Sequence, residues 1–162
     1  MRKTEGRLVF EFRTALQVEQ FEVEAQPLKC ADFVITESDA TWMIEVTEAV
    51  KAPDDERRKA LAELLGQMTS GKLMKDMLMK LYGTHAHLAL AGVMPTKKVF
   101  FCVVIGVPPL ADDAAQRNRM RDEMKRVTDR IGPSFFGTAN RPIIKVESVD
   151  TWNSTNSGVR IA

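Results

Sequence analysis

Apolar and polar positions are grouped unevenly along this 162-residue chain, and the groups predict a series of strands followed by helices. The first fifty residues are typical of strands, because apolar, aromatic and β-branched side chains fall into short runs. Two runs, 30–35 and 41–46, are joined by the polar segment 36–40, which suits a hairpin loop. The run 8–12 predicts a further strand, exposed at the edge of a sheet.

Helical spacing dominates the middle of the chain. Pro53 and the three acidic residues that follow it predict the start of a long helix, because proline suits the first turn and acids oppose the helix dipole. Gly83 predicts the end of that helix. Later segments are expected as strands over 87–91, 99–107 and 143–146, a second helix over 112–131 ended by Gly132-Pro133, and a loose polar tail over 153–158.

This order of elements predicts a mixed α/β (α+β) fold, in which a mixed β-sheet is flanked by two long helices. The length suits a single domain over 1–162, with N-terminal strands over 1–27, a core over 28–150 and a tail over 151–162.

Composition narrows the class of protein without indicating an activity. The chain has 23 Lys and Arg against 22 Asp and Glu, so its charge demands no polyanionic partner. At 28% charged residues, it matches neither a disordered nor a membrane-embedded protein. Since no apolar leader is visible, we expect a cytoplasmic protein with no membrane partner, whose Cys30 and Cys102 are reduced core residues.

Two carboxylates stand inside otherwise apolar strands. Asp32 lies early in the first strand of the predicted hairpin, and Glu45 lies within the second. A carboxylate in such a place costs several kcal/mol unless it is paired or binds a metal. On neighbouring strands the two side chains lie within reach of one metal ion, and their oxygens suit Mg²⁺.

The arrangement resembles the PD-(D/E)xK nuclease superfamily, which has the restriction-endonuclease-like fold. The resemblance covers residues 28–131: Asp32 on one strand, Glu45-Val46-Thr47 on the next, then a helix, a strand and a second helix. It implies that Asp32 and Glu45 are catalytic ligands of Mg²⁺ in a nuclease that hydrolyses DNA or RNA phosphodiesters.

The chain departs from this pattern at the motif lysine. Thr47 occupies that position and supplies no cation to orient the attacking water. Lys51 is a candidate replacement, because it shares the strand parity of Glu45. Lys72 and Lys75 on the following helix are further candidates, here expected to bind substrate.

Gln67 is predicted as a polar substrate contact on the same helix. Because Thr47 replaces the lysine, the alternative is a catalytically inactive nuclease-fold protein that acts as a nucleic-acid or protein interaction module.

Two other motifs are weaker. Residues 66–73 nearly match the phosphate-binding loop GxxxxGK[ST], but Leu73 stands at the hydroxyl position and the preceding run is helical rather than strand-like. His85 and His87 offer two imidazoles on one face of a predicted strand, yet a third zinc ligand with fitting spacing is missing. A surface or packing role is the favoured interpretation of both histidines.

Two surface features bear on partners. Arg117, Arg121 and Lys125 form one basic stripe that suits a phosphate backbone, although a solvated face neutralised by nearby acids is the favoured interpretation. The first helix is rich in methionine, including Met79 away from its apolar stripe. Together with the expected edge strand, this surface predicts a homo-oligomer or a partner protein.

Overall fold

The computed structural model describes residues 1–5, 8–21, 28–47, 69–93, 98–106, 113–135, 141–156 and 158–162, with residues 59, 62, 63, 66, 67 and 95. Its strands are β1 (Arg2–Glu5), β2 (Leu8–Phe12), β3 (Gln17–Gln20), β4 (Phe33–Thr36), β5 (Ala40–Thr47), β6 (Lys98–Ile105), β7 (Ile143–Ser148) and β8 (Val159–Ile161). Its helices are α1 (Lys72–Leu90), α2 (Ala114–Phe135) and α3 (Val149–Thr155). The helix start predicted at Pro53 lies outside the described residues.

Two sheets organise the described residues. The larger has the strand order β3-β4-β5-β6-β7, and the smaller has the order β1-β2-β8. In the larger sheet β3, β4 and β5 pair antiparallel, whereas β5, β6 and β7 pair parallel. Parallel neighbours need a crossover, and α1 and α2 lie in the two crossovers of this sheet. The predicted mixed α/β fold is therefore confirmed.

The larger sheet separates two hydrophobic cores, because successive side chains of a strand point to opposite faces. Met43 belongs to the core that contains Leu81 of α1. Ile44, the next residue of β5, belongs to the core that contains Phe10 of the smaller sheet and Trp152 of α3. Each face of β5 is thus covered by a different layer, and helices α1 and α2 cover the face that carries Glu45.

The predicted end of the first long helix at Gly83 is wrong, and so is the strand predicted over 87–91. Helix α1 continues through both and ends in a Schellman motif, in which Val93 N–H donates to the carbonyl of Leu88 at 3.0 Å. Gly92, with φ of +70°, supplies the left-handed residue of this motif. The predicted end of the second helix at Gly132-Pro133 is also wrong, since α2 continues to Phe135.

The predicted loose tail over 153–158 is wrong for residues 153–155, which form the end of α3. Ser148 caps α3 by accepting a hydrogen bond from the amide of Thr151 at 3.2 Å, and β8 follows that helix. Trp152 is fully buried, and its indole N–H donates to the carbonyl of Val159 at 2.8 Å.

The exposed sheet edge expected at 8–12 is also wrong, because β2 is the central strand of the smaller sheet.

Among the residues described, no helix is both long enough and apolar enough to cross a membrane.

The apolar face of α1 supplies much of the core on the helical side of the larger sheet. Leu81 is fully buried there, whereas Leu90 on the same helix is 84% exposed. We expect Leu81→Ala to lower the free energy of unfolding by about 2–5 kcal/mol, because it removes buried methyl groups and leaves a cavity. Urea unfolding followed by circular dichroism measures this loss.

The matched control is Leu90→Ala, the same substitution on the exposed end of α1. We expect it to change the free energy of unfolding by no more than about 0.5 kcal/mol. Equal effects of the two variants would contradict the packing of α1 described here.

Candidate functional site

The hairpin of β4 and β5 brings the two predicted carboxylates together. Phe33 pairs with Ile44 in the antiparallel register. The preceding residue, Asp32, and the following residue, Glu45, therefore lie opposite each other with their side chains on the same face. That face is the one covered by α1 and α2. Asp32 is only 6% exposed and Glu45 only 2%.

Asp32 is held in place by the backbone of the neighbouring strand. Its Oδ2 accepts a hydrogen bond from the amide of Val46 at 2.7 Å. Burial raises the pKa of Asp32, and this hydrogen bond and the charge of Lys80 oppose the rise. The Asp32 side chain therefore adds one hydrogen bond between the two segments, just beyond the last residue pair of the β4–β5 ladder.

Lys80 of α1 completes the cluster. Its Nζ forms an ion pair and a hydrogen bond with Glu45 Oε1. The second oxygen, Glu45 Oε2, is buried and has no hydrogen-bond partner among the described residues. We call Asp32, Glu45 and Lys80 the carboxylate–lysine cluster.

The electrostatics of the cluster depend on its burial. Burial, assisted by the charge of Asp32, raises the pKa of Glu45 to about 8, although Lys80 opposes the rise. Burial disfavours the charged form of Lys80, but its pKa is raised because the charge and hydrogen bond of Glu45 outweigh that effect. Because burial raises the pKa of both Asp32 and Glu45, the carboxyl pair favours retention of one proton, which a cation can displace, while Lys80 pairs with the remaining negative charge.

An ion pair on the surface lies beside the cluster. Lys29 Nζ lies 2.6 Å from Asp76 Oδ1, and both side chains are substantially exposed. Asp76 is on α1, one turn before Lys80, and its negative charge adds to the rise in the pKa of Glu45. The segment before Asp32 is thereby attached to the same helix that carries Lys80.

The other residues predicted for the site lie around the cluster or beyond the described chain. Thr47 is buried at the end of β5, two residues after Glu45 and on the same face. Lys51 lies outside the described residues. Lys72 and Lys75 are exposed on α1, towards its N-terminus from Lys80.

Gln67 donates a hydrogen bond to Glu63 Oε1 at 3.0 Å. Asp32 accepts a hydrogen bond from Val46, Glu45 pairs with Lys80, and the two carboxyl groups also interact with each other through a side-chain hydrogen bond.

Lys80 is the residue that sequence reasoning missed. Strand parity indicated Lys51, and the early part of the next helix offered Lys72 and Lys75. Lys80 lies further along that helix. A signal was nevertheless present, because Met77, Lys80 and Thr84 are spaced as successive positions on one helix face. A lysine next to a buried stripe needs a partner, and a strand carboxylate is the natural candidate.

The histidines do not share a face. Because 85 and 87 lie on α1 rather than on the predicted strand, their side chains point about 200° apart around the helix axis. His85 is buried, and burial lowers its pKa. His87 lies 3.5 Å from Glu19 and packs edge-on against the ring of Phe21. The arrangement matches the packing role favoured for both residues.

The other set-aside motifs have ordinary structural roles. Leu73 of the GxxxxGK segment is a buried core residue, and residues 66, 67 and 69 before it are helical. On α2, Arg121 pairs with Asp122 and Lys125 pairs with Asp129, while Arg117 is buried. The basic stripe is thus largely neutralised by acids on its own helix.

No group of three or more His, Cys, Asp and Glu residues that could hold a metal ion gathers in the described ranges. No protein-family model matches the chain, and no curated protein or solved structure matches it in the comparisons either.

The raised pKa of Glu45 makes stability depend on pH. A carboxyl group with a higher pKa in the folded chain binds its proton more tightly when folded. Its contribution is fully present below the unfolded pKa of 4.5 and is lost as the pH rises to about 8. We therefore expect the stability advantage of the wild type over Glu45→Gln to shrink steadily across that interval, as measured by urea unfolding at several pH values.

Glu11→Gln is the control, because the hydrogen bond from Arg13 lowers the pKa of Glu11. Glu11 is ionised in both folded and unfolded chains above the unfolded value, so this variant has no trend of that kind. A wild-type advantage over Glu45→Gln that stays constant or grows with pH would contradict the raised pKa.

Proposed function

We propose that this protein is a Mg²⁺-dependent nuclease of the restriction-endonuclease-like kind, which hydrolyses phosphodiesters of DNA or RNA. The observation that carries the proposal is the carboxylate–lysine cluster, in which two buried acids and a half-buried ammonium meet on one face of the sheet. Such groups are costly to bury, so clusters of this kind are enriched at functional sites.

The residues present fit a magnesium ion. Mg²⁺ retains several waters and is commonly held by one or two carboxylates together with substrate phosphate. Asp32 and Glu45 provide those carboxylates, and the buried oxygen of Glu45 without a hydrogen-bond partner is available as a ligand. When bound, Mg²⁺ would polarise the phosphate and lower the pKa of the attacking water.

Lys80 takes the role that Thr47 leaves open. Its ammonium lies against Glu45, where it orients a water molecule and offsets negative charge that develops on the phosphate. The ion pair with Glu45 keeps this half-buried ammonium in place, and its raised pKa keeps it charged. The lysine of the motif would then be supplied by α1 instead of by β5.

The order of elements supports the same proposal. Asp32 precedes β4, Glu45 lies on β5, and a helix, a parallel strand and a second helix follow. This is the succession of elements on which the sequence resemblance is based. The cluster also lies near the carboxyl end of β5, the edge of a parallel sheet where ligands commonly bind.

One observation favours a second candidate, an inactive nuclease-fold protein that acts as a nucleic-acid or protein interaction module. Lys80 already neutralises Glu45, and both carboxylates are buried. A cluster that is stable by itself suits a chain that retains the scaffold without the reaction.

The decisive variant is Lys80→Met, which keeps most of the side-chain length and removes the charge. We expect Mg²⁺-dependent cleavage of DNA or RNA to fall by about 10²–10³-fold, because a positioned charge at the reacting phosphate is lost. Lys98→Met is the matched control, since Lys98 is exposed at the opposite end of the sheet from Glu45. It is expected to cleave at the wild-type rate, with circular dichroism confirming that both variants are folded.

Calorimetry with Mg²⁺ and Mn²⁺ on Asp32→Ala provides the second test, and loss of binding is the expected result. Wild-type levels of cleavage by a double Asp32→Ala, Glu45→Ala protein would overturn the proposal. Absence of both metal binding and cleavage in the wild type would favour the interaction module instead.

A further inference from the structure

The segment that leads into Asp32 is packed against α1 at a single glycine. A Cβ atom at Gly83 would lie 1.9 Å from the carbonyl oxygen of Lys29. No side chain fits there unless the segment moves away from the helix. The close approach explains why a glycine is found in the middle of a helix, where it costs about 1 kcal/mol relative to alanine.

Thr84, the next residue of α1, bonds to both sides of this contact. Its Oγ1 accepts a hydrogen bond from the amide of Ala31 at 2.7 Å and donates to the carbonyl of Lys80 at 2.7 Å. Thr84 is fully buried. One hydroxyl therefore connects the residue immediately before Asp32 to the backbone of Lys80.

We propose that Thr84 is a positioning residue, which with Gly83 fixes the separation between Asp32 and Lys80 and thereby the geometry of the carboxylate–lysine cluster. Its significance for catalysis rests on the proposed function. Neither residue contacts the phosphate or the metal in this proposal. They act through the backbone of Ala31 and Lys80, as outer groups that orient metal ligands generally do.

A nearby ion pair on the surface is a weaker candidate for positioning Asp32 relative to α1. The ion pair of Lys29 and Asp76 also connects the segment to α1, but both side chains are substantially exposed. Exposed pairs of this kind contribute little to stability, because water and salt screen them. The buried hydroxyl and the glycine contact are therefore the stronger constraints on Asp32.

The chain contains a matched control for Thr84. Thr128 of α2 is 2% exposed, and its hydroxyl donates to the carbonyl of Met124, four residues earlier, at 2.8 Å. Both threonines thus make the same local bond within a helix, but the amide of Ala31 bonds to Thr84. Thr84→Val and Thr128→Val each remove one buried hydroxyl from a helix. Thr84→Ser retains the hydroxyl that bonds to the amide of Ala31.

The first measurement needs neither metal nor activity. The amide of Val46 donates to Asp32 Oδ2, so its NMR chemical shift and its hydrogen-exchange rate report the position of that carboxylate. We expect Thr84→Val to shift this resonance and accelerate its exchange. Thr84→Ser and Thr128→Val are expected to leave it close to the wild type, once exchange rates are compared with those of core amides in each variant.

The second measurement is the affinity for Mn²⁺ alone, by calorimetry. We expect Thr84→Val to weaken binding roughly 10–100-fold, the usual loss for a group that orients metal ligands, with recovery in Thr84→Ser. Gly83→Ala tests the same constraint, because the added methyl group would meet the carbonyl of Lys29. This variant replaces Thr84→Val in the experiment if the Thr84→Val protein does not fold.

The outcomes separate this inference from the proposed function. If the wild type binds no Mn²⁺ and cleaves no nucleic acid, the proposed function fails, while the Val46 amide still decides whether Thr84 positions Asp32. If the Val46 amide and the Mn²⁺ affinity change equally in Thr84→Val and Thr128→Val, Thr84 is only a stabilising core residue and the inference is overturned.

Discussion

The buried ion pair between Glu45 and Lys80 is the interaction on which the arrangement of this fold depends. A carboxylate on the helix-covered face of the sheet requires a cation from the layer above it, so α1 must present Lys80 at that point. The ion pair therefore constrains the rotation of α1 about its axis, together with the apolar residues that the helix buries. Apolar side chains of similar size are often at least as stabilising as a buried pair, so net stabilisation does not by itself account for the cluster.

Helix α1 serves the core and the cluster with adjacent faces. Leu73 and Leu81 pack into the core between helices and sheet, whereas Lys80 and Thr84 face the two segments that carry the carboxylates. Because one rigid helix carries both sets, close packing of the core also determines the geometry of the cluster. Asp32 needs this support because it lies just before β4, outside the last residue pair of the β4–β5 hairpin.

The sequence predicted the features that depend on interactions within a short segment of the chain. The hairpin, the apolar strand β6 and the pairing of Asp32 with Glu45 all follow from runs and registers that a short segment contains. The path of α1 through Gly83 does not, because that glycine is required by the carbonyl of Lys29, which is distant in sequence. Lys80 escapes prediction for the same reason, and the order of the C-terminal tail depends on tertiary contacts that include the burial of Trp152 and the pairing of β8 with β2.

The raised pKa of Glu45 explains how such a cluster is compatible with a stable fold in the absence of a metal ion. With one ammonium facing two buried carboxylates, full ionisation would leave an excess negative charge in the core. A pKa of about 8 for Glu45 means that a proton neutralises this excess near neutral pH. In the proposed function, a divalent cation would replace that proton and add the charge that the cluster lacks, so metal binding would be coupled to proton release.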